Sequence, residues 1–558
     1  MGATHRFVSE ETMRNRSLLL GGACLGVSAL MPAPAAAQSS SDLAKIERMQ
    51  RQMDQLQEQI KALKNEMAQA KKKAAEEAYA ANVQAPAKTS PVKAPSITDH
   101  VKLTWGGFLA AETLYRTRNE VSDMSSSFTT IPFPFSPLFN EGEFRGSARQ
   151  SRISLLAEGA IDPIQKLAGY YEMDFNGVGA TSNFNQTNSW APRLRQAHFT
   201  YDNSDWGFHF LGGQAYSLLT QNTVGITPRK ENIPLTIDGD ILAGFDYTRN
   251  WQLRLVKDFG PMFSAGVSVE GPAQQVFTGT GAIGNSGTIN GLIVNFNNPG
   301  GTYLGSSGFT NTFTTDTAPD VIEKAAFDPG WGHYEVFGVQ RFFTSNVFAC
   351  SVVVAAVCPT PFSTTNFGTT SSKTTFGAGV GGSVLLPVIP TFLDITAEAM
   401  YGKGVGRYAA GQLSDVFVGP DGSLTPITEF SAMAGIVGHP WVGLDVYAYA
   451  GIEQAQDNFF LSNAGVLTGF GVPNAVNTGC NIATAASFTG GVSNCAAINK
   501  QLSEVTVGFW QDFYKGTYGL VRGGFQYEYL RRESFNGVGG AVSTSDNIFL
   551  TSLRYYPF

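Results

Sequence analysis

Charge is what this chain of 558 residues has least of: Asp, Glu, Lys and Arg make up 15%, against about 25% in an ordinary soluble domain. Long apolar runs are missing as well. After the first forty or so residues no window holds about 18 uninterrupted apolar residues, which excludes helical membrane spans. No basic stripe appears beyond Lys71-Lys72-Lys73, and the net charge is −7, so nucleic acid is excluded as a partner. Histidine is scarce and scattered: His5, His100, His198, His209, His333 and His439 have no metal-ligand spacing. No Ser sits in a nucleophile elbow, and Gly377-Ala-Gly-Val-Gly381 lies inside an alternating stretch instead of opening a helix, so it reads as small inward residues and not as a phosphate loop. No catalytic residue, cofactor site or metal centre follows from these patterns, and the chain is not expected to be an enzyme.

Cysteine is rare too, with five residues. Cys24 follows Gly21-Gly22-Ala23 without the Leu that a lipoprotein signal places three residues earlier. The other four form two local pairs, Cys350 with Cys358 and Cys480 with Cys495, which in an exported chain read as two loop disulfides.

Glycine is abundant, 62 residues where about 39 would be average, and aromatics reach 12%. Four segments follow. Residues 1–37 read as a signal peptide: Arg14 and Arg16 precede the apolar run Leu18 to Met31, and Ala35-Ala36-Ala37 offers a cleavage pattern. Residues 42–80 read as a periplasmic coiled coil, with Ile46, Met53, Ile60 and Met67 at a and Met49, Leu56 and Leu63 at d. Oligomerisation is therefore expected, although the Met-rich seam does not choose between two strands and three. Residues 81–100 are a Pro-rich linker around Pro86, Pro91 and Pro95.

From residue 101 to 558 a hairpin pattern recurs. Leu393, Ile395, Ala397, Ala399 and Tyr401 share one parity, and Asp394, Thr396, Glu398 and Met400 the other. Eleven residues rising about 3.3 Å each at about 45° climb roughly 25 Å, the height of the apolar band of an outer-membrane barrel. Similar alternation surrounds Leu103, Ile153, Tyr171, Trp251, Phe263, Leu444 and Val521. Tight turns fall near 160–165, 203–205, 258–261, 387–390, 438–441 and 514–517. Long loops fall near 117–146, 217–243, 272–332, 403–427 and 454–501. Short turns on one side and long loops on the other are how such barrels sort their connections. The fold class is thus an all-β transmembrane barrel of about 16 antiparallel strands after an N-terminal coiled coil, provided a weakly marked strand lies near Ser345–Val354.

Charge inside the barrel is the remaining functional signal. Arg145, Arg149, Arg152, Arg193 and Arg195 are expected on the wall, facing Glu231, Asp238 and Asp240 on an infolded third loop, as a constriction whose transverse field sorts small charged solutes. Arg149 and Arg195 have outward parity, which calls for a bulge or a place above the lipid. Over the whole barrel, inward acids such as Glu112, Glu172, Glu270, Glu398, Glu453, Glu504 and Glu528 outnumber inward bases, suggesting a cation-leaning vestibule around a local Arg cluster.

The chain ends Phe549-Leu-Thr-Ser-Leu-Arg-Tyr-Tyr-Pro-Phe558, which resembles the aromatic-terminated last strand read by the outer-membrane assembly machinery, with Tyr556 and Phe558 as the signal. Arg554 departs from that form and makes Tyr555, Leu553 and Phe549 the candidate lipid-facing set. Taken with the heptads, the spacer and the Gly508-Phe-Trp510 and Phe513-Tyr-Lys-Gly516 hairpin, the chain resembles the DcaP-like trimeric porins of Gram-negative bacteria. The resemblance implies a 16-stranded barrel in the cell outer membrane, a homotrimer, a periplasmic coiled coil, contact with lipid and lipopolysaccharide, and passive uptake of small, often anionic, solutes. The competing expectation is a structural or adhesive barrel tied to peptidoglycan through the coiled coil.

Overall fold

The computed structural model describes residues 100–177, 191–279, 286–296, 314, 316–350, 368–485 and 495–558. The signal peptide, the heptads from Ile46 to Met67, the linker before His100, and Cys358 with its expected bond to Cys350 lie outside these residues.

Sixteen strands form the wall. The first half comprises β1 (Lys102–Arg116), β2 in two pieces (Glu143–Ser147 and Arg152–Ala160), β3 (Gln165–Asp174), β4 (Arg193–Asn203), β5 (Phe208–Tyr216), β6 (Arg249–Asp258), β7 (Phe263–Glu270) and β8 (Asp320–Phe327). The second half comprises β9 (His333–Cys350), β10 (Gly368–Ile389), β11 (Leu393–Lys403), β12 (Thr428–Trp441), β13 (Leu444–Ala455), β14 (Asn499–Gly516), β15 (Gly519–Ser534) and β16 (Ser543–Tyr556). Each pairs antiparallel with the next, and β16 pairs antiparallel with β1, Leu553 opposite Ala111, so the barrel is closed. Among the described residues each of the sixteen strands has a partner on both sides, as a sheet surrounded by lipid requires.

The alternation sets the two faces. On β10 and β12, Phe376, Val380 and Ile436 point outward and are about half exposed or more. Met433 and the buried Tyr447 and Tyr449 of β13 point inward. Exposed aromatics gather at the short turns: Trp206 at 204–207, Phe259 at 259–262, Trp331 at 328–332, Phe392 at 390–392 and Tyr518 at 517–518. Amphipathic rings at one rim form the girdle expected at a membrane interface. Phe549, Leu553 and Tyr555 face outward, whereas Arg554 turns inward and its Nη2 donates to Glu112 Oε1 at 2.8 Å. Phe558 is exposed beside Trp105, and the Tyr556 ring packs on Phe108.

One expected connection is wrong. The stretch 272–332 is not a single loop, because it contains β8 and the short turn 328–332. Asp320-Val-Ile-Glu-Lys-Ala-Ala-Phe327 hides its period: Lys324 faces inward, where its ammonium donates to Glu335, and Glu323 faces outward, where Gln340 donates to it at 3.0 Å. The strand expected at Ser345–Val354 is the upper part of β9, which ends at Cys350.

Cys480 and Cys495 are bonded, and Cys480 packs with Phe133 and Val542. Closing a loop of this length removes about 3 kcal/mol of unfolded-chain entropy. A Cys480→Ser/Cys495→Ser variant is expected to keep its strand content by circular dichroism while the loop after β13, which holds no Lys or Arg, is cut faster by thermolysin; equal cleavage rates would show that the bond braces nothing.

Candidate pore constriction

The loop between β5 and β6, residues 217–248, does not stay outside; it crosses the interior. A backbone that leaves its sheet carries N–H groups with no ladder partner, and each must find an acceptor when water is excluded. Inward carboxylates of successive strands supply them. Leu218 N donates to Glu270 of β7 at 2.8 Å, Asn222 N to Glu335 of β9 at 3.0 Å, and Asp246 N to Glu398 of β11 at 2.6 Å. Gly244 N donates to Glu453 of β13 at 2.9 Å, Ala243 N to Glu504 of β14 at 2.8 Å, and Ile237 N to the Gln526 amide oxygen of β15 at 2.5 Å. Trp510 of β14 donates its indole N–H to the Leu235 carbonyl at 2.7 Å.

Two glycines allow this approach. A Cβ on Gly451 would strike the Ala243 carbonyl, and Gly244, at φ +83°, would press one on the Ala432 carbonyl. Apolar side chains seal the contact: Ile237, Leu242 and Phe245 join Tyr447, Tyr449 and Trp510 in one buried cluster. The loop therefore lines the β7–β15 side of the interior, and its tip meets the first loop and β2. There Ser126 N and Oγ donate to Asp238, and the Gln150 amide donates to the Ile237 carbonyl at 2.7 Å.

Basic groups occupy the facing arc, β2 to β6. Arg195 Nε donates to Glu172 at 2.7 Å and its Nη1 to Asp174 at 2.9 Å, while Arg193 Nη2 donates to Asp174 at 2.7 Å. Arg152 lies 3.9 Å from Glu172. Arg249 forms no ion pair among the described residues; its guanidinium lies 5.6 Å from the Tyr216 ring and 5.9 Å from the Tyr247 ring. Arg229 reaches from the third loop to within 5.7 Å of the Tyr170 ring. Guanidinium groups over ring faces keep their N–H groups available to another acceptor.

The expected constriction residues separate into three places. Arg152, Arg193 and Arg195 come together. Arg195 reaches the interior because the register slips between Glu172 and Met173 at this point, which is the bulge its parity called for. Arg149 sits where β2 is interrupted, 2.5 Å from Asp123, and Arg145 pairs with Glu143 near the upper end of β2. On the loop, Glu231 is buried and accepts from Arg229 N at 3.2 Å, and Asp238 faces the first loop instead of the arginines. Asp240 lies in the field of Arg193 and Arg249, but burial and neighbouring Asp238 push its carboxyl up to about 7.

Arg249, Arg229, Tyr170, Tyr216 and Tyr247 did not stand out in the sequence. The signal that existed was a strand beginning with Arg249-Asn250-Trp251 immediately after the infolded loop. A second buried node, Arg341, donates to Asp320 at 3.2 Å, to Asp415 at 2.6 Å and to the Gly404 carbonyl, tying β9 to the loop 404–427.

Glu453→Leu is expected to strand the N–H groups of Gly244 and Gly411, at about 1–3 kcal/mol each, and to free the loop: single-channel conductance rises and loop proteolysis accelerates. Glu453→Gln keeps an acceptor and behaves as wild type. Identical behaviour of the Leu variant would refute the anchoring role.

No protein-family model matches the chain, and no curated protein matches it in sequence. Solved structures do match in shape. The outer membrane channel DcaP of Acinetobacter baumannii aligns at 17% identity over 84% of this chain and 100% of its own, with a TM-score of 0.54. The trimer form of the outer membrane protein OmpT of Vibrio cholerae aligns at 11% identity over 82% and 100%, with a TM-score of 0.38. An anion-selective porin from Comamonas acidovorans aligns at 10% identity over 82% and 99%, with a TM-score of 0.41. What the first likeness establishes is the fold: this chain folds as a porin-like, closed 16-stranded antiparallel barrel similar to the DcaP channel.

Proposed function

We propose that the protein is a diffusion pore of the cell outer membrane that passes small hydrophilic solutes and favours anions. One observation carries the reading: the acids and bases of the interior are not equally available. Glu270, Glu335, Glu398, Glu453 and Glu504 are engaged by loop N–H groups, while Arg249 and Arg229 face aromatic rings without ion pairs among the described residues. A solute between the loop and β2–β6 meets arginine, tyrosine and Asp240, whose carboxyl is pushed up by burial and by neighbouring Asp238. That field attracts carboxylates, sulfates and chloride, and tyrosine rings favour solutes with a flat apolar part. The cation-leaning vestibule suggested by counting inward acids gives way to this reading.

The surrounding assignments belong to the same proposal. Residues 1–37 are an export signal, residues 42–80 a periplasmic coiled coil and residues 81–100 its spacer. Three copies assemble, with lipid and lipopolysaccharide around the barrel, Tyr556 and Phe558 presented to the assembly machinery, and peptidoglycan within reach of the coiled coil. The protein acts as a channel and not as an enzyme.

Planar-bilayer recording tests the core of it. Wild-type protein is expected to show conductance steps in groups of three and, across a KCl gradient, a reversal potential on the chloride side. Arg152→Ala/Arg193→Ala/Arg249→Ala is expected to lower the chloride-to-potassium permeability ratio about three- to tenfold, since each lost charge acts within a Debye length of about 10 Å. An unchanged ratio would sink the anion preference.

A further inference from the structure

Glu429 and Glu453 each use one carboxylate oxygen, and only one, to hold a loop. Glu429 Oε2 accepts from Val405 N at 2.8 Å and from Gly406 N at 2.6 Å. Glu453 Oε1 accepts from Gly411 N at 2.7 Å and from Gly244 N at 2.9 Å. The other two oxygens, Glu429 Oε1 and Glu453 Oε2, are buried and have no hydrogen-bond donor among the described residues. Both side chains line one cavity of about 10 Å³, together with Ser431 of β12 and with Val405, Gly406 and Leu413 of the loop 404–427.

The fold keeps this space open. Ser431 lies opposite Glu453 in the β12–β13 register and two residues along from Glu429, so the three side chains share one inward patch. A Cβ on Gly406 would strike Glu429 Oε1 and the Leu413 carbonyl, and one on Gly411 would come within 2.8 Å of Glu453 Oε2. Glycine at both positions leaves room beside each oxygen. Ser431 Oγ donates to Asp246 Oδ1 at 2.7 Å, and Asp246 Oδ2 is a third buried oxygen without a donor. Asp246, Glu429, Ser431 and Glu453 are 1% to 4% exposed.

No base compensates these acids. Among the described residues no Lys, Arg or His forms an ion pair with Asp246, Glu429 or Glu453; Arg341 and Arg407 of the neighbouring node are bound to Asp320 and Asp415. Buried charges are paired or coordinate metals. One water in a cavity of this size would supply two O–H groups but no charge. The donors are oxygens throughout, which suits a hard cation and not zinc or copper. Among the described residues no three carboxylates, histidines or cysteines converge as a closed cage, so hydroxyl and backbone oxygens have to complete the shell. Calcium accepts that mixture, whereas magnesium keeps several waters for which this space has no room.

We propose that the cavity between Glu429 and Glu453 is a structural calcium site, in which one cation takes Glu429 Oε1 and Glu453 Oε2 and fastens two infolded loops to β12 and β13. The loop 404–427 is held there through Val405, Gly406 and Gly411, and the third loop through Gly244 and Asp246. One divalent cation neutralises the two carboxylates and adds to the N–H anchors without replacing them. The site lies across the interior from the arginines of β2 to β6 and does not depend on what the pore passes.

The test uses the full-length protein in detergent, equilibrated with calcium chloride and then moved into metal-free buffer. Wild type is expected to retain about one calcium per chain more than Glu429→Gln, measured by elemental analysis. Hydrogen exchange of the amides in 404–411, followed by mass spectrometry, is expected to slow about tenfold in wild type when free calcium is raised from chelated levels to some ten times its dissociation constant, as one-site linkage requires. Glu429→Gln keeps an acceptor for Val405 N and Gly406 N, just as Glu453→Gln does for its own donors. In chelator the loops of either variant are therefore held as in wild type, and only the response to calcium is lost. Equal retained calcium in wild type and Glu429→Gln assigns the metal to lipid or the outer surface and overturns the inference. Wild-type exchange that ignores calcium overturns it without any variant and identifies a water-filled, proton-sharing carboxyl pair instead.

Discussion

The structure depends on how a loop that crosses the interior of a barrel satisfies its own backbone. Strands in a closed barrel exchange all their hydrogen bonds sideways, so the wall offers no spare main-chain acceptors to anything inside. The third loop solves this with side chains. Carboxylates from β7, β9, β11, β13 and β14, and the Gln526 amide of β15, each take a backbone N–H from residues 218–246. A charge-assisted acceptor aimed at an amide is stronger than a neutral one and is hard to replace once buried.

That arrangement decides the electrostatics. Glu453 accepts from Gly244 N and also from Gly411 N, and Glu429 accepts from Val405 N and Gly406 N. These carboxylates are buried against the loops they hold. The guanidinium groups of the other side sit beside rings and beside two acids, Glu172 and Asp174, that several arginines share. Charge in this interior is therefore sorted by what it is bonded to. The count of acids and bases on inward positions leaves that bonding out.

Two irregularities of the wall serve the same end. The slip between Glu172 and Met173 turns Arg195 inward, and the interruption of β2 between Ser147 and Arg152 frees Gln150 to hold the loop tip. In a strand the side chains alternate strictly, so one displaced residue is the least change that re-aims a neighbour.

Much of the barrel was legible in the chain. Alternation such as Leu393 to Tyr401, tight turns at one rim and long loops at the other require only neighbours a few residues apart, and these specify strands, faces and closure. β8 escaped because Lys324 and Glu323 invert the expected polarity, each satisfied by a partner on the adjacent strand. For the site, the clustering of Arg152, Arg193 and Arg195 was legible from their strands, but the places of Asp238 and Arg249 were not. The sequence by itself determined that one face of each strand is apolar and the other polar. Only the tertiary structure decided which polar groups remain available, because their partners lie across the interior: Ile237 meets Gln526 over 289 residues of chain, and Ala243 meets Glu504 over 261. Periodicity is a local property of a strand, whereas the bonding of a charge is settled where distant segments meet.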